Sequence, residues 1–183
     1  MNSLIIDTAT NRTSCALFID DLLVFSEFHE GATEHAEALP KLVAKALANS
    51  AQIDQVIVGM GPGPFTGLRV GIVFAQSFAA ARNIPWHGVC SLDGIAIEED
   101  EYIVATDARR KEVYWARYKS DQRVAGPFVT APSELDSNTE KVYGISKPVY
   151  PDPSKLLKVA KVSQVTEPLY LRRPDAVPTS ERR

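Results

Sequence analysis

Residues 59–71, Gly-Met-Gly-Pro-Gly-Pro-Phe-Thr-Gly-Leu-Arg-Val-Gly, constrain the fold of this chain more than any other stretch. They follow the apolar run Gln55–Met60, which reads as a strand, and lead into residues 66–82, which read as a helix. Glycines there supply positive φ angles and prolines stiffen the turn, so strand and helix meet at a set angle. Thr66 is placed to cap the helix. A joint of this kind belongs to an α/β fold with helices lying on a sheet. The loop has two readings: a cradle for phosphate on backbone N–H groups, or a rigid turn that orients the helix. It lacks the Gly-Lys-Ser/Thr ending of a Walker A loop, and its glycines do not match Gly-x-Gly-x-x-Gly.

The helix that follows is apolar almost all round. Leu68, Val70, Ile72, Val73, Phe74, Ala75, Phe78, Ala79, Ala80 and Ala81 leave only Arg69, Gln76, Ser77 and Arg82 plainly polar. Such a helix is buried on more than one side. A preceding helix, from Gly31-Ala32-Thr33-Glu34 onward, carries a stripe of Ala36, Leu39, Val43, Ala46 and Leu47, with Thr33 as its expected cap and Pro40 as a local irregularity. The two helices either form an interface with another chain or cover each other and the sheet.

Around this unit, residues 3–8, 13–19 and 22–29 read as three strands in a meander, with Asp20-Asp21 as a two-residue turn. A short strand near Trp86–Cys90 follows the second helix. The second half repeats the theme: Tyr102–Asp107 echoes Leu4–Asp7, and residues 112–118 and 124–130 read as a hairpin around Ser120–Arg123. A short helix after Ala131, a strand at Lys141–Ile145, a helix at Ser154–Ala160 and an extended tail from Val165, marked by Pro168, Pro174 and Pro178, complete it. The pattern is an internal duplication with an eroded second copy.

With 183 residues, the chain makes one compact unit or two small lobes. A net charge of −3 disfavours a nucleic-acid binder acting through its overall charge, and leaves room for a local basic patch. Arg109-Arg110-Lys111 is such a patch: a solvated turn, or a contact to RNA, phosphate or an acidic partner. No run of 18 apolar residues suggests a membrane span. The opening Met1–Asp7 lacks the basic region of a signal peptide, so the cytoplasm is the expected compartment. Cys15 and Cys90 are expected as separate core thiols.

Chemistry-bearing residues are sparse. Asp7 and Asp107 each end a strand, where acids either position metal and nucleotide phosphates or hold turns by hydrogen bonds. Neither is followed by the glycine that lets backbone approach phosphate. His29, His35 and His87 lack metal-ligand spacing, and neither Ser14 nor Ser91 sits in a nucleophile–His–acid arrangement. No catalytic or metal residue is therefore assigned.

The glycine–proline signature is joined by Ile6-Asp7-Thr8-Ala9-Thr10, His35-Ala36-Glu37-x-Leu39-Pro40, Thr106-Asp107-Ala108-Arg109-Arg110-x-Glu112-Val113-Tyr114 and Pro168-Leu169-Tyr170-Leu171-Arg172. In that order these motifs resemble the TsaB (YeaZ) family of tRNA threonylcarbamoyladenosine biosynthesis. The resemblance implies an α/β, actin-like ATPase (ASKHA, ribonuclease H-like) fold of two related lobes, the second reduced, divided here at 1–91 and 92–183. It implies a non-catalytic subunit that pairs with a TsaD-type transferase, joins a TsaE-type ATPase in a larger assembly, forms homodimers through the same surface, and meets tRNA indirectly and no membrane. No cofactor of its own is expected, with nucleotide only at a shared interface. The interface implied by matching position is His35, Leu39, Leu42, Val43 and Ala46 with Leu68, Arg69, Ile72, Val73, Gln76 and Ala79. Pro64 stands where the family usually has Ser, and the second half is shorter than usual. The alternative is a free-standing actin-like ATPase or small-molecule kinase using Asp7 and Asp107.

Overall fold

The computed structural model describes residues 1–50, 52–135 and 141–172. Its central strand, β1 (Asn2–Asp7), is buried on both faces, as an apolar run without alternation predicts. On one side it pairs antiparallel with β2 (Arg12–Ile19), which pairs antiparallel with β3 (Leu22–Glu30). On the other it pairs parallel with β4 (Gln55–Gly59), and β4 with β5 (Trp86–Val89), giving the order β3-β2-β1-β4-β5. Asp20 and Asp21, at φ 48° and 65°, make the β2–β3 turn, because two-residue hairpins require positive φ at both positions.

Alternation along β1 divides the core. Leu4 and Ile6 face α1 (His35–Leu47) and α2 (Phe65–Arg82), whose Leu39, Leu42, Val43, Leu68, Ile72 and Ala75 cover that side of the sheet. Neither expected threonine cap forms. Helix α1 starts after Glu34, whose carboxylate is held by His29 at 2.5 Å, leaving Thr33 exposed outside the helix. Helix α2 starts one residue early, after Pro64, so Thr66 lies inside its first turn. Helix α1 runs through Pro40 without interruption.

A second sheet joins β6 (Glu101–Asp107), β7 (Val113–Lys119), β8 (Gln122–Thr130) and β9 (Lys141–Tyr143) in the order β8-β7-β6-β9. Its two antiparallel pairings and its parallel β6–β9 pairing repeat the β3-β2-β1-β4 order of the first sheet. Ser120 and Asp121, at φ 49° and 61°, repeat the positive-φ turn. The two sheets make two related lobes, the second reduced. The segment after Ala131 forms a single 3-10 turn at Pro132–Glu134 rather than a helix, and β9 stops at Tyr143 rather than Ile145. Pro174 and Pro178 lie outside the described residues.

The division at residue 91 differs from the packing. Helix α3 (Pro153–Ala160), capped by Asp152 accepting from the Lys155 N–H at 3.0 Å, lies on the back of the first sheet. There Leu156, Leu157 and Ala160 bury Ile5, Ala16, Phe18, Ile57 and Val89. The chain then returns along the first lobe, with the Val165 N–H donating to Gly88 and the Leu169 N–H to Met60, both at 2.8 Å. Arg12 reinforces the joint. Its guanidinium lies between the rings of Phe28 (3.7 Å) and Tyr150 (3.6 Å) and pairs with Glu30 at 2.6 Å.

Cys15 and Cys90 are free, buried and in different core clusters. Burial pushes both thiols up to about 12, so they stay protonated. Among the described residues, no helix is long and apolar enough to cross a membrane.

Candidate protein-docking site

The glycine loop between β4 and α2 is packed against the end of β1. A Cβ on Gly63 would lie 2.4 Å from the Ala9 carbonyl oxygen, and one on Gly71 would lie 2.4 Å from Thr8 Oγ1. The Thr8 hydroxyl donates to the Gly67 carbonyl at 2.8 Å. The loop's glycines are thus required by close approach of the chain to itself, as a rigid turn needs.

The two strand-end acids do not share a site. Asp107 is exposed at an interlobe cleft of about 720 Å³, bordered also by Thr10, Glu30, Lys111 and Tyr150. Asp7 is 1% exposed and does not line that cleft. Its carboxylate accepts from the Ser91 hydroxyl at 2.6 Å and from the Ala9 N–H at 2.9 Å. Ser91 is in turn tied to the loop, accepting from the Gly61 N–H at 3.2 Å. A pair of acids that jointly hold a metal–nucleotide complex does not fit this arrangement, because Asp7 is bound into the core. Among the described residues, no three His, Cys, Asp or Glu side chains are grouped to hold a metal. The Asp7–Ser91 bond has no local sequence signal, because its partners lie 84 positions apart.

Burial pushes the Asp7 carboxyl from 3.8 up to about 6, against the lowering by Ser91 and the Ala9 N–H. The folded protein therefore binds this proton more tightly than the unfolded chain does. Ionised Asp7 weighs against folding above pH 6, and the penalty fades as the pH falls toward 4. A shift of this size is worth at most about 3 kcal/mol. Between pH 7.5 and pH 4.5 the parent should gain about 2 kcal/mol on the Asp7→Asn variant in urea unfolding. Parallel stabilities at the two pH values would reject a shifted Asp7.

The remaining feature is the outer face of the helix pair. Phe65 and Val73 are 41% and 52% exposed, and with Pro40, Val70, Phe74 and Arg69 they line an apolar groove of about 570 Å³. Phe74, which lines it, stacks on Phe78 at 6.0 Å. Of the residues assigned to the interface, Arg69, Val73 and Gln76 are exposed on this face. Leu39, Leu42, Val43, Ala46, Leu68, Ile72 and Ala79 instead belong to the chain's own core. His35 is buried too, with its Nδ1 at 2.7 Å from Thr13 Oγ1, and burial lowers its pKa. The apolar periodicity marked the stripe that seals the sheet. The groove is formed by the residues between, and its signal was the excess apolarity of α2.

The sequence profile described as "TsaD: tRNA N6-adenosine threonylcarbamoyltransferase" matches residues 29–176. An uncharacterized protein of Mycobacterium tuberculosis is 42% identical over 96% of this chain and 93% of its own length. An uncharacterized protein of Mycobacterium leprae is 40% identical, with 96% of this chain but only 56% of that protein aligned. The Escherichia coli tRNA threonylcarbamoyladenosine biosynthesis protein TsaB is 36% identical over 67% of this chain and 57% of its own length. The chain thus spans little more than half of these last two relatives. YeaZ from Pseudomonas aeruginosa has the same fold, with a TM-score of 0.75 at 24% identity, covering 93% of this chain and 99% of that one.

Proposed function

Because the chain belongs to the TsaB (YeaZ) family, we propose that it acts in tRNA threonylcarbamoyladenosine biosynthesis as a non-catalytic partner subunit in the cytoplasm, docking through the α1–α2 groove onto a TsaD-type transferase. The observation that carries this reading is the groove itself: exposed Phe65 and Val73 beside half-buried Val70 and Phe74 on a helix already packed on its sheet. A solvent-facing apolar strip of this kind marks a surface meant for a partner. Its occupant would add two aromatic-bearing turns to an interface core, where large side chains contribute most. A second copy of the chain would compete for the same strip, and a TsaE-type ATPase would join the larger assembly.

The subunit's contribution is positional. Docking would bury the groove and hold the partner in its working form, with chemistry left to that partner. Asp7 supports this division, since its carboxylate is engaged by Ser91 and the Ala9 N–H. The test is light scattering after gel filtration, on the chain alone and mixed with the TsaD-type subunit of the same cell. A one-to-one complex that replaces any homodimer is expected, together with loss of tRNA modification when this chain is omitted from a reconstituted mixture. A chain that ignores the transferase would overturn the proposal.

A further inference from the structure

At the end of α2 opposite Arg82, the β6–β7 turn carries an unusual backbone. Arg109, Arg110 and Lys111 all have left-handed φ, at 62°, 54° and 62°. Non-glycine residues avoid that region, and three in succession are strained. The turn closes on itself through the Glu112 N–H donating to Arg109 and the Ala108 N–H donating to Glu112, both at 3.0 Å. Arg109 and Arg110 thereby border a pocket of about 210 Å³ whose other walls include Arg172, Phe65, Tyr114 and Tyr170. Arg172 pairs with Glu112, which fixes its guanidinium beside the turn. Arg109 Nε is 3.8 Å from the Asp107 carboxylate, beyond hydrogen-bond distance. Phe65 and Tyr170 stand 4.9 Å apart and are 41% and 39% exposed. A chain of net charge −3 thus gathers three arginines around two accessible aromatic rings.

We propose that this pocket is a direct RNA contact, with Arg109, Arg110 and Arg172 taking phosphate oxygens and Tyr170, backed by Phe65, offering a ring face to a base. Guanidinium forks suit phosphate, and exposed rings beside them suit unstacked bases. An acidic protein segment would use the arginines and leave the rings idle. The volume is below the roughly 300–1,000 Å³ of pockets that enclose a small ligand, which favours a backbone passing over the surface. The choice of tRNA as the RNA rests on the proposed function; Phe65 lines both the groove and this pocket, whereas Arg109, Arg110, Arg172 and Tyr170 line the pocket alone and stay outside the docked groove.

The test compares the parent with an Arg109→Asn/Arg110→Asn variant. Asparagine tolerates left-handed φ, so the turn is kept while both charges go. Filter binding of unmodified tRNA transcript is measured from 50 to 200 mM salt, for the chain alone and for its complex with the TsaD-type subunit. The variant should melt with the parent and co-elute with the transferase as the parent does. Its RNA affinity should fall about tenfold, and its salt slope should fall by about two. RNA binding equal to the parent's overturns the proposal, as does a parent that binds no RNA in either form. Release of the RNA by ATP at concentrations matching ATP's own affinity for the chain would assign the pocket to a mononucleotide and likewise overturn it. Loss of co-elution in the parent sinks the docking proposal instead, and the isolated chain's RNA binding is read separately.

Discussion

Val73→Glu is expected to abolish co-elution with the TsaD-type subunit while leaving the chain folded. Val73 sits in mid-helix on α2 and is 52% exposed, so a carboxylate there remains hydrated in the free protein. Glutamate also forms helix slightly better than valine, which removes any reason for the monomer to melt early. In the docked state the same carboxylate would be desolvated in the apolar groove between Pro40 and Phe74, with Arg69, one turn earlier, as the cation among the lining residues. One neighbouring cation does not repay the desolvation of a charge at the centre of an interface, which costs about 2–4 kcal/mol, a loss of roughly 30-fold to 1,000-fold in affinity. The check is light scattering of the mixture beside a thermal melt of the variant alone. A Val73→Glu chain that melts normally and still forms the complex would move the docking face away from this groove. Ile72, one residue away, makes the contrast. It is 5% exposed, and a charge there would remove docking by unfolding the chain.

Gly59→Ala should be severely destabilising. A Cβ built there lies 1.8 Å from Asp7 Oδ2 and 2.5 Å from Ser91 Oγ. Neither atom is the free end of a flexible side chain. Asp7 is held by the Ala9 N–H and by Ser91, and Ser91 by the Gly61 N–H. Any relief breaks a hydrogen bond of a buried acid or shifts β4, which is paired on both sides. Overpacking combined with a lost buried hydrogen bond is expected to cost more than about 4 kcal/mol, a large share of the 5–15 kcal/mol available to a typical domain. Urea unfolding would read it directly, and a variant within about 1 kcal/mol of the parent would refute the contact. The double variant Gly59→Ala/Asp7→Ala should recover much of the loss, because the methyl group then occupies the space of the carboxylate.

Much of this fold was legible in local sequence. The Asp20-Asp21 turn was readable because few residues tolerate positive φ, and the strands because apolar runs end at turn residues; the expected four-residue turn Ser120–Arg123 is instead the two-residue turn Ser120-Asp121, with Gln122 and Arg123 already in β8. The fold class followed from motif order, and the two topologically matching sheets agree with it. The site was only half legible. Periodicity identified Leu39, Val43 and Ile72 as apolar faces without saying whether the sheet or a partner covers them, and the sheet does. The Asp7–Ser91 bond joins residues that no local pattern relates. Thr33 and Thr66 satisfy the composition rule for caps. The cap positions fell to Glu34 and Pro64, because His29 engages Glu34 and Pro64 has a φ of −58° that suits the entry to the helix. The left-handed turn at Arg109–Lys111 had no sequence signal, since none of its residues favours that backbone.

The position of α3 bears on how the polypeptide is born. Ile5, Phe18, Ile57 and Val89 are all made early, yet the leucines that shield them are Leu156 and Leu157. During synthesis the first sheet emerges from the ribosome with one flank sealed by α1 and α2 and the other bare. It stays so until a segment about 150 residues downstream of Ile5 has been translated. At roughly 5–20 residues per second, the interval from Val89 to α3 lasts several seconds, long enough for chaperones or sticky neighbours to compete. Closure over so long a sequence separation also slows refolding relative to a chain of local contacts. Helix α3 is thus the clasp that ends the protein's most vulnerable period, and a nascent chain stalled before Pro153 would be a substrate for quality control.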